Sequence, residues 1–316
     1  MIKADWIAVD WGTSHIRVWA MSNTSQILAF DSNNKGMGQL KPHEFESVLL
    51  QLIDPWLRND VITTVVACGM VGAKQGWIES AYHPCPVDLA TLTKQGAMIQ
   101  SPSLDPRIQV YIAGGVKQLS PADVMRGEET QVSGFYCDHP TFSGLVCLPG
   151  THSKWVAFSE GHIQSFKTLM TGEIFALLSQ QSILKHTVNA TDESTTEWNQ
   201  TAFIASVKYA YNHPEDVLSA LFSLRANDLL YGSDPSAAKA ALSGYLIGNE
   251  LRAMSTQLNA SFAAGSYVAL IGATGLTAHY SSALDCLGYV SKAFDSEKMT
   301  LNGLALNYQS LKTGAQ

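Results

Sequence analysis

A strand–turn–strand motif occurs twice in this chain. Its two glycines, Gly12 and Gly150, stand 138 residues apart, close to half of the 316-residue length. The first copy is Ile7-Ala8-Val9-Asp10-Trp11-Gly12-Thr13-Ser14-His15-Ile16-Arg17-Val18-Trp19-Ala20, and the second is Leu145-Val146-Cys147-Leu148-Pro149-Gly150-Thr151-His152-Ser153-Lys154-Trp155-Val156-Ala157-Phe158. Apolar or alternating runs on either side of a short glycine turn predict a β-hairpin. Each hairpin leads through a polar turn, 22–25 or 159–162, into a third run at 26–30 or 163–166. A single copy reads equally well as an ordinary hairpin with a capped turn. Two copies at this spacing predict a duplicated domain, not a solenoid. The length suits two domains of about 150 residues each, and the natural cut gives 1–138 and 139–316.

The turns suggest a chemistry. Backbone N–H groups and hydroxyls at a hairpin tip suit phosphate oxygens. Gly12, Thr13 and Ser14 in the first copy, and Gly150, Thr151 and His152 in the second, are therefore candidate nucleotide contacts. Two such tips facing each other across a cleft would clamp a nucleoside triphosphate. Asp10 stands beside the first tip, where a carboxylate holds a phosphate-bound Mg²⁺ directly or through water. Leu148 occupies the matching place in the second copy, so only the first hairpin offers an acid to the metal.

Charge narrows the partners. The net charge is −7, with only 15% charged residues and no Lys/Arg cluster, which argues against nucleic acid or a membrane surface as partner. No stretch approaches the roughly 20 apolar residues of a membrane span. The start, Met1-Ile2-Lys3-Ala4-Asp5, turns acidic before any apolar run, so no signal peptide is expected. Cys68, Cys85, Cys137, Cys147 and Cys286 are scattered without metal-binding spacing and read as reduced thiols of a cytoplasmic protein.

Between the hairpins the pattern is α/β. A helical stripe runs over 44–58, strands over 61–68 and 110–113, and each strand lands on glycines, Gly69-Met70-Val71-Gly72 and Gly114-Gly115. In such domains ligands gather at the carboxyl ends of strands. After the second hairpin, Thr171 reads as an N-cap with Glu173 in the first turn. Residues 184–200 read as a polar surface loop, and helices are predicted over 202–211, 217–230, 237–254 and 299–311. Val268 to Ile271 form a buried strand entering Gly272-Ala273-Thr274-Gly275. Small residues there let an adenine and ribose lie against the backbone, although a plain β-to-α turn accounts for the pattern equally well.

Phosphoryl transfer to an alcohol needs a group to accept the hydroxyl proton, and a carboxylate within reach contributes on the order of 10²–10⁴-fold. Glu128 and Glu129, in Met125-Arg126-Gly127-Glu128-Glu129-Thr130-Gln131, lie 22 and 21 residues before Gly150, where the chain is expected to cross between domains. Glu128 is favoured as base. The simpler role for either is to complement a helix dipole.

Five segments together resemble the 2-dehydro-3-deoxygalactonokinase family, within the actin-like ATPase and sugar-kinase superfamily. They are Asp10-Trp11-Gly12-Thr13-Ser14, Gly69-Met70-Val71-Gly72 with Gly76-Trp77, the Met125–Gln131 stretch, Pro149-Gly150-Thr151-His152-Ser153-Lys154-Trp155, and Met170-Thr171-Gly172-Glu173. The resemblance implies two ribonuclease H-like domains around a central cleft. It implies ATP with Mg²⁺ as cofactors and phosphorylation of 2-keto-3-deoxygalactonate at its 6-hydroxyl, before an aldolase step in galactonate breakdown. The first domain would carry the sugar-acid site and the second the adenosine site. The wider superfamily's Gly-Asp-Gln is replaced here by Gly127-Glu128-Glu129, and its Gly-Gly adenosine turn by Gly272-Ala273-Thr274-Gly275.

Gly69, Met70 and Trp77 mark the expected sugar site. Lys74 and Arg126 are the cations nearest it, suited to a substrate carboxylate. The partner expected is this small-molecule sugar acid, and a homodimer stays open. A superfamily kinase acting on a neutral sugar or another small alcohol explains the hairpins as well. A non-enzymatic ATP-gated regulator would need an extra module, and no helix-turn-helix is read before Asp10.

Overall fold

A computed structural model describes residues 2–189 and 198–313. The first hairpin is β1 (Trp6–Trp11) with β2 (Ile16–Met21), and β3 (Ile27–Asn33) lies antiparallel to β2. Next along the chain come β4 (Thr63–Gly69), β5 (Met98–Ser101) and β6 (Ile108–Ala113). The sheet order is β3-β2-β1-β4-β6-β5, with β1, β4 and β6 parallel.

The second copy repeats this plan with β7 (Gly144–Leu148), β8 (Ser153–Ser159), β9 (His162–Leu169), β10 (Val268–Gly272) and β11 (Ser291–Asp295). Within its sheet it runs β9-β8-β7-β10-β11, with β7, β10 and β11 parallel. In both copies the strands fall in the order third, second, first, fourth and then one further parallel strand, β6 in the first and β11 in the second; β5 is an added antiparallel edge strand of the first. The duplication read in the sequence is thus one of topology, the ribonuclease H-like arrangement of actin-like ATPases and sugar kinases. The central strands are buried on both faces, which is why β1 and β4 read as nearly unbroken apolar runs.

The chain divides into two compact units, one of Met1–Phe142, Phe158–Phe166 and Ser296–Gln316, the other of Ser143–Ala157 and Lys167–Asp295. In unit one, α1 (Phe45–Ile53) buries Phe45, Val48, Leu49, Leu52 and Ile53 against Val9, Trp11, Ile16 and Val18. A short sheet of Tyr82–Pro84, Gly115–Leu119 and Ala122–Met125, which the sequence pattern does not announce, leads into α2 (Glu128–Asp138).

Unit two contains α3 (Thr171–Gln180), α4 (Gln200–Asn212), α5 (Val217–Tyr231), α6 (Pro235–Ala253) and α7 (Thr274–Cys286). α4 and α6 approach backbone to backbone. A Cβ at Gly244 would sit 2.5 Å from the Phe203 carbonyl oxygen, and one at Gly248 2.4 Å from that of Val207. The expected 184–200 loop contains a helical turn at Lys185–Val188, and α4 already begins at Gln200. Residues 190–197 of that loop lie outside the described residues.

A single cut after residue 138 misplaces the last helix. α8 (Ser296–Thr313) belongs to unit one, where it lies against α2. A Cβ at Gly134 would come 1.9 Å from the Met299 carbonyl oxygen, and one at Gly303 2.1 Å from that of Thr130. Only glycines permit so close a crossing. α8 then packs Leu301, Leu304 and Tyr308 into the cluster of Trp6, Trp19 and Val66, with the Tyr308 ring stacked 4.5 Å from Trp6.

Candidate active site

In unit one the turn from Gly12 to His15 is braced from both sides. The Gly12 N–H donates to the His15 carbonyl at 2.9 Å, while the Met37 and Gly38 N–H groups donate to the carbonyls of Gly12 and Thr13, both at 2.9 Å. Thr13 and Ser14 remain exposed at the tip. Asp10 lies one residue before the end of β1, directly opposite Arg17 on β2, and the two side chains form an ion pair. Burial lowers the Arg17 pKa, but the charge of Asp10 and its hydrogen bond outweigh that, and the net direction is upward.

β4 ends beside Asp10, with Cys68 and Gly69 in register with Asp10 and Trp11. Gly69 has φ +91°, and a Cβ there would lie 2.8 Å from the Trp11 carbonyl oxygen and 3.5 Å from Asp10 Oδ1. Gly127, at φ +105°, abuts Gly69 in turn, since its own Cβ would lie 3.2 Å from the Gly69 Cα. Two glycines therefore bring the start of α2 against the end of β4, next to Asp10. Side chains at these positive φ values would be strained.

The two glutamates at that helix start differ. Glu128 is half-buried, and its Oε2 accepts the Arg126 N–H at 3.0 Å. Glu129 is 2% exposed and folds back so that both its carboxylate oxygens accept the Gly127 N–H, at 2.9 and 2.8 Å. Burial, reinforced by the charge of Glu128 and opposed by the Gly127 N–H, pushes Glu129 up to about 7. Glu128 is the more accessible carboxylate, while Glu129 is a buried anchor for the Gly127 turn.

The expected carboxylate cations fare differently. Arg126 is 7% exposed, and its donors are engaged. Nη1 meets the Ser80 hydroxyl, Nη2 the Ser80 carbonyl at 2.8 Å and Nε the Tyr82 hydroxyl at 3.4 Å, with the guanidinium 4.1 Å above the Tyr82 ring. It braces the short sheet from behind Gly72. Lys74 is exposed, in the turn after Gly72. Met70 begins that turn, and Trp77 packs beside Trp11 and Phe45 at 6.3 and 6.2 Å.

In unit two the Gly150–His152 turn is held by α3. A Cβ on Gly172 would meet the Gly150 carbonyl oxygen at 2.3 Å, the Glu173 N–H donates to the Thr151 carbonyl at 2.9 Å, and His152 Nε2 lies 2.6 Å from Glu173 Oε2. Thr171 is not the N-cap. That position is Met170, without a side-chain cap. The Thr171 hydroxyl instead donates to Glu250, a 1% exposed carboxylate on α6. Glu250 also accepts the Trp155 Nε1–H at 2.7 Å and the Tyr280 hydroxyl at 2.9 Å, and that hydroxyl meets Ser153 at 2.9 Å. Burial raises the Glu250 pKa, and its hydrogen-bond donors oppose the rise.

Beside this network lies a cavity of about 530 Å³. Gly150, Thr151, Thr171 and Gly172 form one side, and Phe175, Trp198, Leu246, Ile247, Leu276 and His279 line the rest, with Lys239 and Ser243 at hand. His279 stacks 4.0 Å from Trp198, and burial lowers its pKa. The Gly272–Thr274 turn is not among the lining residues. It begins α7, the helix that carries Leu276, His279 and Tyr280 into the cavity.

The sequence profile of the 2-keto-3-deoxy-galactonokinase family matches residues 10–306. The chain belongs to this kinase family. It is 35% identical over 300 residues to DgoK1 of Rhizobium meliloti (strain 1021), assigned as a 2-dehydro-3-deoxygalactonokinase, with 94% of each chain covered. Its identity to the 2-dehydro-3-deoxygalactonokinase of Escherichia coli (strain K12) is 31% over 289 residues, covering 91% of each. A Sinorhizobium meliloti crystal structure assigned to the same kinase superposes with a TM-score of 0.85 at 33% identity, covering 97% of this chain and 96% of that one.

Several residues of this kinase escape a reading of the sequence. Glu250 sits in a helix rich in small residues, and nothing local marks it as buried. Ser80 and Tyr82 lie in a stretch without periodicity. Lys239, Ser243 and His279 meet only through tertiary packing.

Proposed function

We propose that this kinase transfers the γ-phosphate of ATP to the 6-hydroxyl of 2-keto-3-deoxygalactonate, the acid for which its relatives are named. Support for the roles comes from one observation above all: Gly69 and Gly127 approach so closely that Asp10 and Glu128 belong to one site in unit one. Glu128 would accept the hydroxyl proton as the oxygen attacks. It is the less buried of the two glutamates, and general-base work requires reach before pKa. Glu129 holds the Gly127 turn that aims it.

Unit two supplies the nucleotide part. Its cavity joins the Gly150–Thr151 turn to apolar walls, which suits triphosphate on one side and a purine on the other. The Thr13–Ser14 tip would also meet phosphate. Asp10 fits Mg²⁺, since that ion is usually held by one or two carboxylates together with substrate phosphates, and the bound ion would neutralise charge on those phosphates. Lys74, exposed after the Gly69–Gly72 turn, is the cation for the substrate carboxylate. Free thiols at all five cysteines accord with a cytoplasmic setting, and no described helix is long and apolar enough to cross a membrane.

The test is ADP release across a panel of sugar acids and neutral sugars. A neutral sugar forgoes the charge-assisted contact that Lys74 offers a carboxylate, so kcat/KM should be higher on the keto-acid than on galactose. Comparable kcat/KM on galactose and on the keto-acid would leave a kinase but remove the acid specificity.

A further inference from the structure

Helix α5 of unit two is apolar on more than one face: Val217, Ala220 and Leu224 are buried, Leu221 packs beside Leu224, and further apolar side chains stand outside. Its ion pair is turned inward: Arg225 Nη1 lies 2.7 Å from Asp228 Oδ2, which also accepts the Thr187 hydroxyl at 2.9 Å. Most of its large apolar side chains are nevertheless turned outward. Leu218, Phe222, Leu229, Leu230 and Tyr231 are 82%, 63%, 67%, 71% and 81% exposed. Surface helices normally present polar residues on that outer face. Leu218, Phe222, Ala226 and Leu230 recur every fourth residue and so form one continuous ridge. The Ser223 hydroxyl, beside that ridge, donates to the Ser219 carbonyl at 3.1 Å and is satisfied within the helix.

We infer that a second copy of this chain covers the ridge through an antiparallel contact between the two α5 helices. Area is the first reason. Four of the exposed side chains, Leu218, Phe222, Leu229 and Leu230, lie on this side of the helix and present on the order of 500 Å² of apolar surface, within the range of a monomer's largest patch. A homodimer face of about 800 Å² per partner, roughly two-thirds apolar, needs about that much. Self-complementarity is the second. A two-fold axis between Phe222 and Ala226 pairs Leu218 with the second copy's Leu230 and each Phe222 with the second copy's Ala226, large against small, as an isologous interface requires.

Charge is the third reason. Arg225 and Asp228 are the charged residues of α5, and they neutralise each other. Two chains of net charge −7 therefore meet at a neutral surface.

Sedimentation velocity over a wide concentration range tests this. The full chain should sediment as a dimer, and Phe222→Glu as a monomer with unchanged circular dichroism. A second arm does not depend on that variant folding. Leu218→Cys/Leu230→Cys, in a Cys137→Ser background, should give a covalent dimer with a short bis-maleimide. The two sites are about 18 Å apart within one helix, too far for the linker to bridge inside one copy. Leu104→Cys in the same background, 95% exposed and outside α5, should not cross-link. A monomeric full chain, a dimer that survives Phe222→Glu, or cross-linking no better than the Leu104→Cys control would each overturn the assignment.

Discussion

Asp10 and Arg17 face each other across the first hairpin, and their side chains form an ion pair. The pair does more than join two strands. It fixes a carboxylate and a guanidinium at the base of the Thr13–Ser14 turn, and Glu297 of α8 stands 3.9 Å from the same Arg17.

Asp10→Asn should therefore leave a folded protein, because the amide keeps the shape of the side chain, and lower kcat by on the order of 10²-fold. Steady-state rates on protein of verified native circular dichroism decide the matter. Near-normal turnover would take Asp10 out of the catalytic machinery.

For the two glutamates the expectations diverge. Glu128→Gln should reduce kcat by about 10²-fold with little change in the KM for ATP, as befits loss of a general base. Glu129→Gln should act on stability. The Glu129 pKa of about 7 in the folded chain lies above the ordinary value of about 4.3, so the folded state keeps a proton that the unfolded state releases. Stability falls as pH rises from about 4.3 through 7, by on the order of 3 kcal/mol. Melting temperatures across that window should flatten in Glu129→Gln, and an unflattened profile would contradict the burial account.

How far the sequence speaks for itself is visible at these positions. Both hairpins, their third strands and the glycine at the end of β4 are local patterns, set by alternation and turn chemistry. Glu129 and Glu128 look alike in sequence; as consecutive residues of one helix they point in different directions, and only the tertiary packing of α2 decides that Glu129 is the buried one. Arg126 offered no hint that Ser80 and Tyr82 would absorb its donors. Thr171 reads as a cap because threonine at a helix start usually is one, and its hydroxyl is redirected by a carboxylate 79 residues away.

Arg126 and Lys74 should now separate cleanly. Arg126→Ala leaves the Ser80 carbonyl and hydroxyl without their buried donor, and each such loss costs about 1–3 kcal/mol. Its melting temperature should drop. Lys74→Ala should leave the melting temperature alone and raise the KM for the keto-acid several-fold. If Arg126→Ala melts like the parent and chiefly impairs use of the acid, the two roles are exchanged.

Gly172→Ala probes the second turn. The new methyl group would meet the Gly150 carbonyl oxygen at 2.3 Å, so the turn must shift away from α3. The KM for ATP should rise at least tenfold while that for the acceptor stays put. Glu250→Leu should also weaken ATP binding, with a lowered melting temperature, since Trp155, Thr171 and Tyr280 lose a common acceptor. Isothermal titration with a non-hydrolysable ATP analogue reads both. Unchanged affinity in the pair would free the nucleotide site from the Gly150 turn.

The docking of α8 on α2 carries a consequence for synthesis. Unit one opens the chain, but one of its layers is written after the whole of unit two. A nascent chain emerging from the ribosome presents Trp6, Trp19 and Val66 long before Leu301, Leu304 and Tyr308 exist to cover them. Unit two can close as soon as β11 has emerged, while the part that begins translation is sealed last. Between those moments an apolar flank stands open to chaperones, and a premature stop before Ser296 would leave it open for good.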